Sequence, residues 1–329
     1  MSEPRLISAA GSVPPSPARV RERSRPLFRI GAVQERWHPD AEEHAAALTR
    51  GIAIAAGEGT KLVCLQELTL SPYFAIVPDA QEQAQVSLET IPGGPTTQLA
   101  AGAAREHGIH VHASLYERAD EGRGEAAPGD EAEGRGRGGM GYNTAIVVGP
   151  GGDVVAKTRK LHIPVTAGYY EDQYFRPGDD EVGYPVVSLG DAQFGFPTCW
   201  DQWFPELARA YSLGGAEVIV YPTAIGSEPD HPGFDTQPLW ERVITGNGIA
   251  NGTFMVAVNR IGEEPPLTFY GSSFISDPYG RVLVKAPRDE PAVLVADLDL
   301  DQRRDWLELF PFLDTRRPET YAALIEAVE

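Results

Sequence analysis

The order of the apolar runs constrains this chain most. Short β-type runs and longer helical periods alternate along its whole length. Residues 27–34, 61–65, 109–116, 142–148, 154–160, 186–196 (interrupted at Gly190-Asp191), 218–221, 253–259, 272–276, 281–285 and 293–297 read as strands. They are rich in Val, Ile, Phe and Tyr and bounded by turn residues. Residues 40–57, 96–107, 203–214, 238–251 and 318–328 read as helices. In the first, Leu48, Ile52 and Ala55 share one face; the second stops at Gly108; the fourth carries Pro238 in its first turn. Interleaving of this kind specifies a single α/β unit, and many strands for few helices predict two sheets packed face to face with helices outside.

Two stretches fall outside that pattern. Residues 1–26 are rich in Pro, Ser and Arg with no apolar period, and predict a disordered N-terminal tail ahead of a domain spanning 27–329. The tail's arginines resemble those of an organelle leader, but its prolines and Glu3 and Glu22 do not. Residues 118–141 are Gly-rich, of mixed charge and empty of large apolar side chains, and predict a flexible loop between two strands. A net charge of -19 argues against nucleic acid as a partner and tolerates a cationic small molecule. No apolar run reaches the roughly 20 residues a bilayer span needs. Cys64 sits in an apolar run and Cys199 at a strand end, so two reduced thiols and a cytoplasmic location are expected.

Cys199 carries the chemical signal. It lies between a strand and the predicted helix 203–214, where a side chain projects from the sheet, free amides face an oxyanion and a helix dipole favours a thiolate. A lone cysteine is more often structural, so the case needs partners. Glu67 and Lys160 each end an apolar strand, and strand ends are where ligands gather in such sheets. A glutamate, a lysine and a thiol from three strand ends can converge on one point. No Gly-rich phosphate loop and no metal-ligand spacing is present, so no cofactor and no metal are expected; His162 reads as a structural hydrogen-bonding residue.

Three segments, Gln66-Glu67-Leu68, Lys160-Leu161-His162-Ile163-Pro164 and Cys199-Trp200-Asp201-Gln202-Trp203-Phe204-Pro205-Glu206, resemble the catalytic motifs of the nitrilase superfamily, in that family's order. The resemblance implies a four-layer α-β-β-α sandwich and a homodimer or larger homo-oligomer, with helix 203–214 as a candidate interface element. It implies Glu67 as general base, Cys199 as nucleophile, and Lys160 with the Trp200 amide as the oxyanion site. Glu171 matches the family's second glutamate, and Tyr73 and Ala224 are implied substrate contacts.

Within the superfamily, the segments 168–171, 174–175, 221–229 and 268–275 resemble the branch that hydrolyses N-carbamoylputrescine to putrescine, carbon dioxide and ammonia in polyamine biosynthesis. By that resemblance Glu228 anchors the distal ammonium. The alternatives are an N-carbamoyl-β-alanine or N-carbamoyl amino acid hydrolase, another aliphatic amidase, and a non-enzymatic binding protein. The chain departs from the family pattern at Pro197, where glycine is usual, at Asn247, where histidine is more frequent, and at Leu239, where plant relatives carry histidine.

Overall fold

A computed structural model describes residues 3–119, 141–166, 168–178 and 183–326. Its two large sheets each run parallel at the centre and antiparallel toward an edge. In the first, Phe28–Gln34, Leu62–Cys64 and His110–Glu117 are parallel neighbours, and Tyr142–Val148 and Val154–Arg159 continue antiparallel. In the second, Ala192–Gly195, Val218–Thr223 and Phe254–Asn259 are parallel, and Phe274–Ser276 and Val282–Lys285 continue antiparallel.

Side-chain alternation sets the layers. Along Val218–Thr223, Val218 and Val220 face the first sheet beside Phe28, Ile30 and Val147, whereas Ile219 and Tyr221 face helices beside Tyr211 and Trp240. The first sheet repeats this: Cys64 points into the sandwich, and Val63 and Leu65 point to the helices Ala41–Gly57 and Pro95–His107. The result is the α-β-β-α sandwich. Helix Ala41–Gly57 is capped by Asp40, which accepts from the Glu43 amide at 2.8 Å. That cap is worth about 1 kcal/mol, less than the roughly 1.5–3 kcal/mol from burying Ile52 alone, so packing rather than capping holds the helix. Pro95–His107 ends at Gly108, whose φ of 65° closes it in the left-handed region.

The interruption expected at Gly190-Asp191 is a turn between two antiparallel strands, Val187–Leu189 and Ala192–Gly195. Three sequence expectations need correction. Residues 203–214 are not one helix: a 3-10 turn, Cys199–Trp203, precedes the helix Pro205–Leu213. Pro205 causes the break, because it keeps Phe204 extended (φ -100°, ψ 103°). Residues 318–328 have strong helix formers, yet within the described part form only the 3-10 turns Pro318–Thr320 and Ala322–Leu324. Leu324 and Ile325 stay 63% and 89% exposed, so no packing supports a longer helix. The closing helix is Asp301–Leu309, which its run of charges concealed.

The third correction concerns residues 1–26. Those described are docked, not disordered. Arg5–Ala9 adds a parallel strand to the edge of Ala292–Leu298. Arg19 pairs with Asp299 and Asp305, both at 2.8 Å, and Arg25 bridges Glu217 at 2.7 Å and Asp301 at 3.0 Å. The segment adds ion pairs to acids around the helix Asp301–Leu309 to a small apolar contact, Ile7 and Ala9 packing against the sandwich core. Most of the loop expected at 118–141, residues 120–140, lies outside the described residues; the strands flanking it, His110–Glu117 and Tyr142–Val148, pair in register with Glu117 opposite Tyr142. No helix among the described residues is long and apolar enough to cross a membrane.

Burial opposes the charge of Asp301, but the amide and hydroxyl of Ser24 and the guanidinium of Arg25 outweigh it and hold its pKa below the ordinary carboxylate range. A depressed folded-state pKa contributes stability above the unfolded value, and that contribution fades as pH falls toward the folded one. Asp301→Asn is therefore expected to lower stability at neutral pH by about 2 kcal/mol. The gap to wild type should shrink below about pH 4, measured by urea unfolding across pH.

Candidate active site

Four strand ends of the sandwich deliver the site. Glu67 follows Leu62–Cys64, Lys160 follows Val154–Arg159 directly, Cys199 follows Ala192–Gly195, and Ala224 follows Val218–Thr223. At Gly195 a side chain is impossible, because an added Cβ would stand 2.4 Å from the Tyr211 ring. The strand stops there, two residues before Pro197, which has no amide to continue the ladder. Cys199 then turns with φ 41°, a left-handed conformation that ordinary side chains avoid and that strand-to-helix nucleophile turns adopt.

The turn is braced from behind. Asp201 accepts from the Thr198 amide at 3.0 Å and from His162, at its amide (3.0 Å) and with Nδ1 2.7 Å away. The His162 ring lies stacked on Phe204. Asn247 donates to the Gln202 carbonyl at 3.1 Å, and Trp240 Nε1 to the Gln202 side chain at 2.9 Å. The departure at position 247 thus supports the nucleophile turn and does not line the cavity.

Lys160 is fully buried between two carboxylates. Its Nζ is 3.1 Å from Glu67 Oε1 and 2.6 Å from Glu171 Oε2. Burial works against its charge, but Glu171 and Glu67 outweigh it and hold the ammonium above the ordinary lysine pKa. Burial pushes Glu171 up, Lys160 pulls it down and Glu67 pushes it up again, leaving it at about 7. Asn143 Nδ2 donates to Glu67 Oε1 at 2.7 Å, so one oxygen takes both hydrogen bonds, and Oε2 has no protein partner.

Burial pushes the Cys199 thiol well above its ordinary pKa, and Glu67 pushes the same way. Lys160 and a hydrogen bond from the Ala224 backbone favour the thiolate without reversing that. The thiolate expected from a helix dipole is therefore not the resting state: the helix begins only at Pro205, and desolvation dominates.

Cys199 opens onto a cavity of about 270 Å³. Glu171, Trp200, Ala224 and Glu228 line it with the thiol, as does the exposed Leu239. Tyr73 does not: it is buried behind Glu171 and donates to Glu171 Oε1 at 2.5 Å, a support for the acid and not a surface for a ligand. Glu228, half-buried, accepts from the Thr236 hydroxyl at 3.2 Å. Sequence reasoning missed Asn143, Tyr169 and Arg260. A polar Asn143 within the apolar run 142–148 was a readable signal; Tyr169, which lines the cavity and accepts from the Gly226 amide at 3.2 Å, stood in the family-like segment 168–171 without being assigned a role.

Fold and site together define the class: an enzyme that hydrolyses carbon–nitrogen bonds other than peptide bonds. The chain belongs to the carbon-nitrogen hydrolase family, whose model matches residues 29–308. It is 35% identical to an N-carbamoylputrescine amidase of Solanum lycopersicum over 307 residues, covering 91% of this chain and 95% of that protein. It is also 35% identical to a citrullinase of Francisella tularensis subsp. tularensis, covering 91% and 98%. A carbon-nitrogen hydrolase from Helicobacter pylori G27 superposes with a TM-score of 0.76 at 29% identity, covering 92% of this chain and all of that one.

Proposed function

We propose that this enzyme hydrolyses an N-carbamoyl amine with a distal cation, N-carbamoylputrescine being the best fit. The observation that carries the reading is the charge of the cavity. Glu228 lines the same cavity as the Cys199 thiol, and the described lining residues include no lysine or arginine. A cationic substrate tail pairs with Glu228. A terminal carboxylate, as in N-carbamoyl-β-alanine, meets acid without a compensating base, whereas citrulline brings the same carboxylate together with an α-ammonium able to pair with Glu228. The similarity to an N-carbamoylputrescine amidase agrees with this reading, and the equal similarity to a citrullinase makes citrulline the necessary control.

The chemistry follows from the groups in place. Glu67, through its unengaged Oε2, takes the Cys199 proton as sulfur bonds to the carbamoyl carbon. The carbonyl π pair moves to oxygen, and Lys160 with the Trp200 amide stabilises that oxyanion. Collapse breaks the carbon–nitrogen bond, Glu67 returns the proton to the departing ammonia, and an S-thiocarbamate of Cys199 remains. Water, deprotonated by Glu67, then attacks the thiocarbamate carbon; the thiol is released with a carbamic acid that decomposes to carbon dioxide and the amine. Glu171, supported by Tyr73, holds Lys160 in place throughout.

Glu228→Gln tests the substrate assignment. Loss of a charged hydrogen bond in a half-buried site costs about 2 kcal/mol, so kcat/KM for N-carbamoylputrescine should fall roughly thirtyfold. The value for a neutral N-carbamoyl alkane should stay within about twofold. Ammonia release from both substrates, with citrulline and N-carbamoyl-β-alanine alongside, measures this. Equal rates on all four in the wild type would retain the amidase and discard the diamine.

A further inference from the structure

We infer that Arg260 is a positioning residue for both active-site carboxylates, acting through the loop that carries Glu67. Arg260 follows the strand Phe254–Asn259 and is wholly buried. One of its terminal nitrogens, Nη2, donates to the carbonyls of Glu67, Leu68 and Ser71, each at 3.1 Å. The other, Nη1, donates to Glu264 Oε1 at 2.6 Å. Glu264 in turn accepts from the Tyr73 amide at 2.7 Å through Oε2. The guanidinium lies between the rings of Tyr73 and Phe269, 5.6 and 5.5 Å from their centroids.

Three converging carbonyls are not a conformation the loop takes unaided. Leu68, next to Glu67, has φ 46°, a strained value for a leucine. The planar fork of Arg260 reaches in two directions at once, Nη2 to the three loop carbonyls and Nη1 to Glu264, which the single nitrogen of a lysine does not span. Leu68 itself is fixed on the other side, its amide donating to Ser114 Oγ at 3.1 Å. Arg260 thereby sets where the Glu67 side chain leaves the backbone. Through Glu264 and the Tyr73 backbone it also sets where the Tyr73 hydroxyl meets Glu171. Both carboxylates that bracket Lys160 are aimed from one buried cation that touches neither of them and does not line the cavity.

The inference rests on Glu67 acting as the base. A misplacement of about 1 Å at a reacting group can cost about 100-fold. Arg260→Lys keeps the charge and loses the fork. It is expected to lower kcat per reactive Cys199, counted by covalent titration of the thiol, by about 100-fold, with KM within about threefold and the preference for cationic over neutral substrate unchanged. Counting competent sites separates this from partial unfolding, which lowers the number of sites and not the rate at each. Glu264→Gln, a second variant that keeps the arginine, is expected to lower kcat about tenfold by loosening the Tyr73 amide. Arg260→Lys with kcat per site within about twofold of wild type overturns the inference, as does an effect confined to KM. Should Arg260→Lys not fold, an unchanged kcat in Glu264→Gln overturns it. If Glu67→Gln retains full kcat, the base assignment fails; if Glu67→Gln is inactive while Arg260→Lys is not, only the role of Arg260 does.

Discussion

Replacing Cys199 by alanine is expected to lower kcat by about five orders of magnitude or more, to a level set by whatever binding and oxyanion stabilisation achieve without a nucleophile. The residue has no other duty that alanine would fail to perform. It is 5% exposed at the mouth of the cavity, its neighbours Asp201 and Gln202 brace the turn independently, and alanine has the same backbone freedom at φ 41°. Folding should survive, and the affinity for the proposed cationic substrate, assigned above to Glu228, should change little. Ammonia release and calorimetric binding of the same substrate check both halves. Substantial residual turnover in a preparation free of wild type would remove the covalent mechanism.

The second large effect has opposite signs in two measurements. Glu67→Gln removes the proposed acceptor of the thiol proton, so turnover should fall by about 10³-fold. The same substitution removes a negative charge that pushes the Cys199 pKa upward. Lys160 then acts on the thiol with one fewer carboxylate opposing it, and the thiolate fraction at neutral pH rises. Alkylation of Cys199 by a small amide reagent should therefore become faster while catalysis becomes slower. A residue that merely maintained the fold would slow both. Parallel measurement of kcat and of the alkylation rate against pH distinguishes the cases, and a slower alkylation in Glu67→Gln would show that the electrostatic relation between these two side chains is not as described.

The sequence made local features legible and hid distant ones. The continuous apolar run 218–221 and the helical stripe at Leu48, Ile52 and Ala55 gave elements close to those observed, because each reports its own burial. The glutamate, lysine and cysteine were singled out by three family-like motifs in order, since a strand-end position taken singly more often means a surface or capping role. Asn143 and Arg260 act on Glu67 across 76 and 193 residues, and nothing near them in sequence announces the partner. The docked N-terminal segment was misjudged for the same reason. Composition measures the apolar surface a segment can bury, and this one is held by Arg19 and Arg25 against acids near residue 300. Residues 318–328 erred in the other direction, since helix propensity with no surface to pack against yields only short turns.

The resting protonation of Cys199 has a consequence for the lifetime of the enzyme. Peroxides attack thiolates, and sulfenic acid at the nucleophile is the first step toward irreversible loss. A thiol kept neutral by burial and by Glu67 offers an oxidant almost no thiolate and little access between turnovers. In the proposed mechanism the proton leaves only as the carbon to be attacked arrives, so the reactive form exists in the company of substrate. The same desolvation that calls for Glu67 as base in that mechanism thus preserves Cys199 while the enzyme is idle.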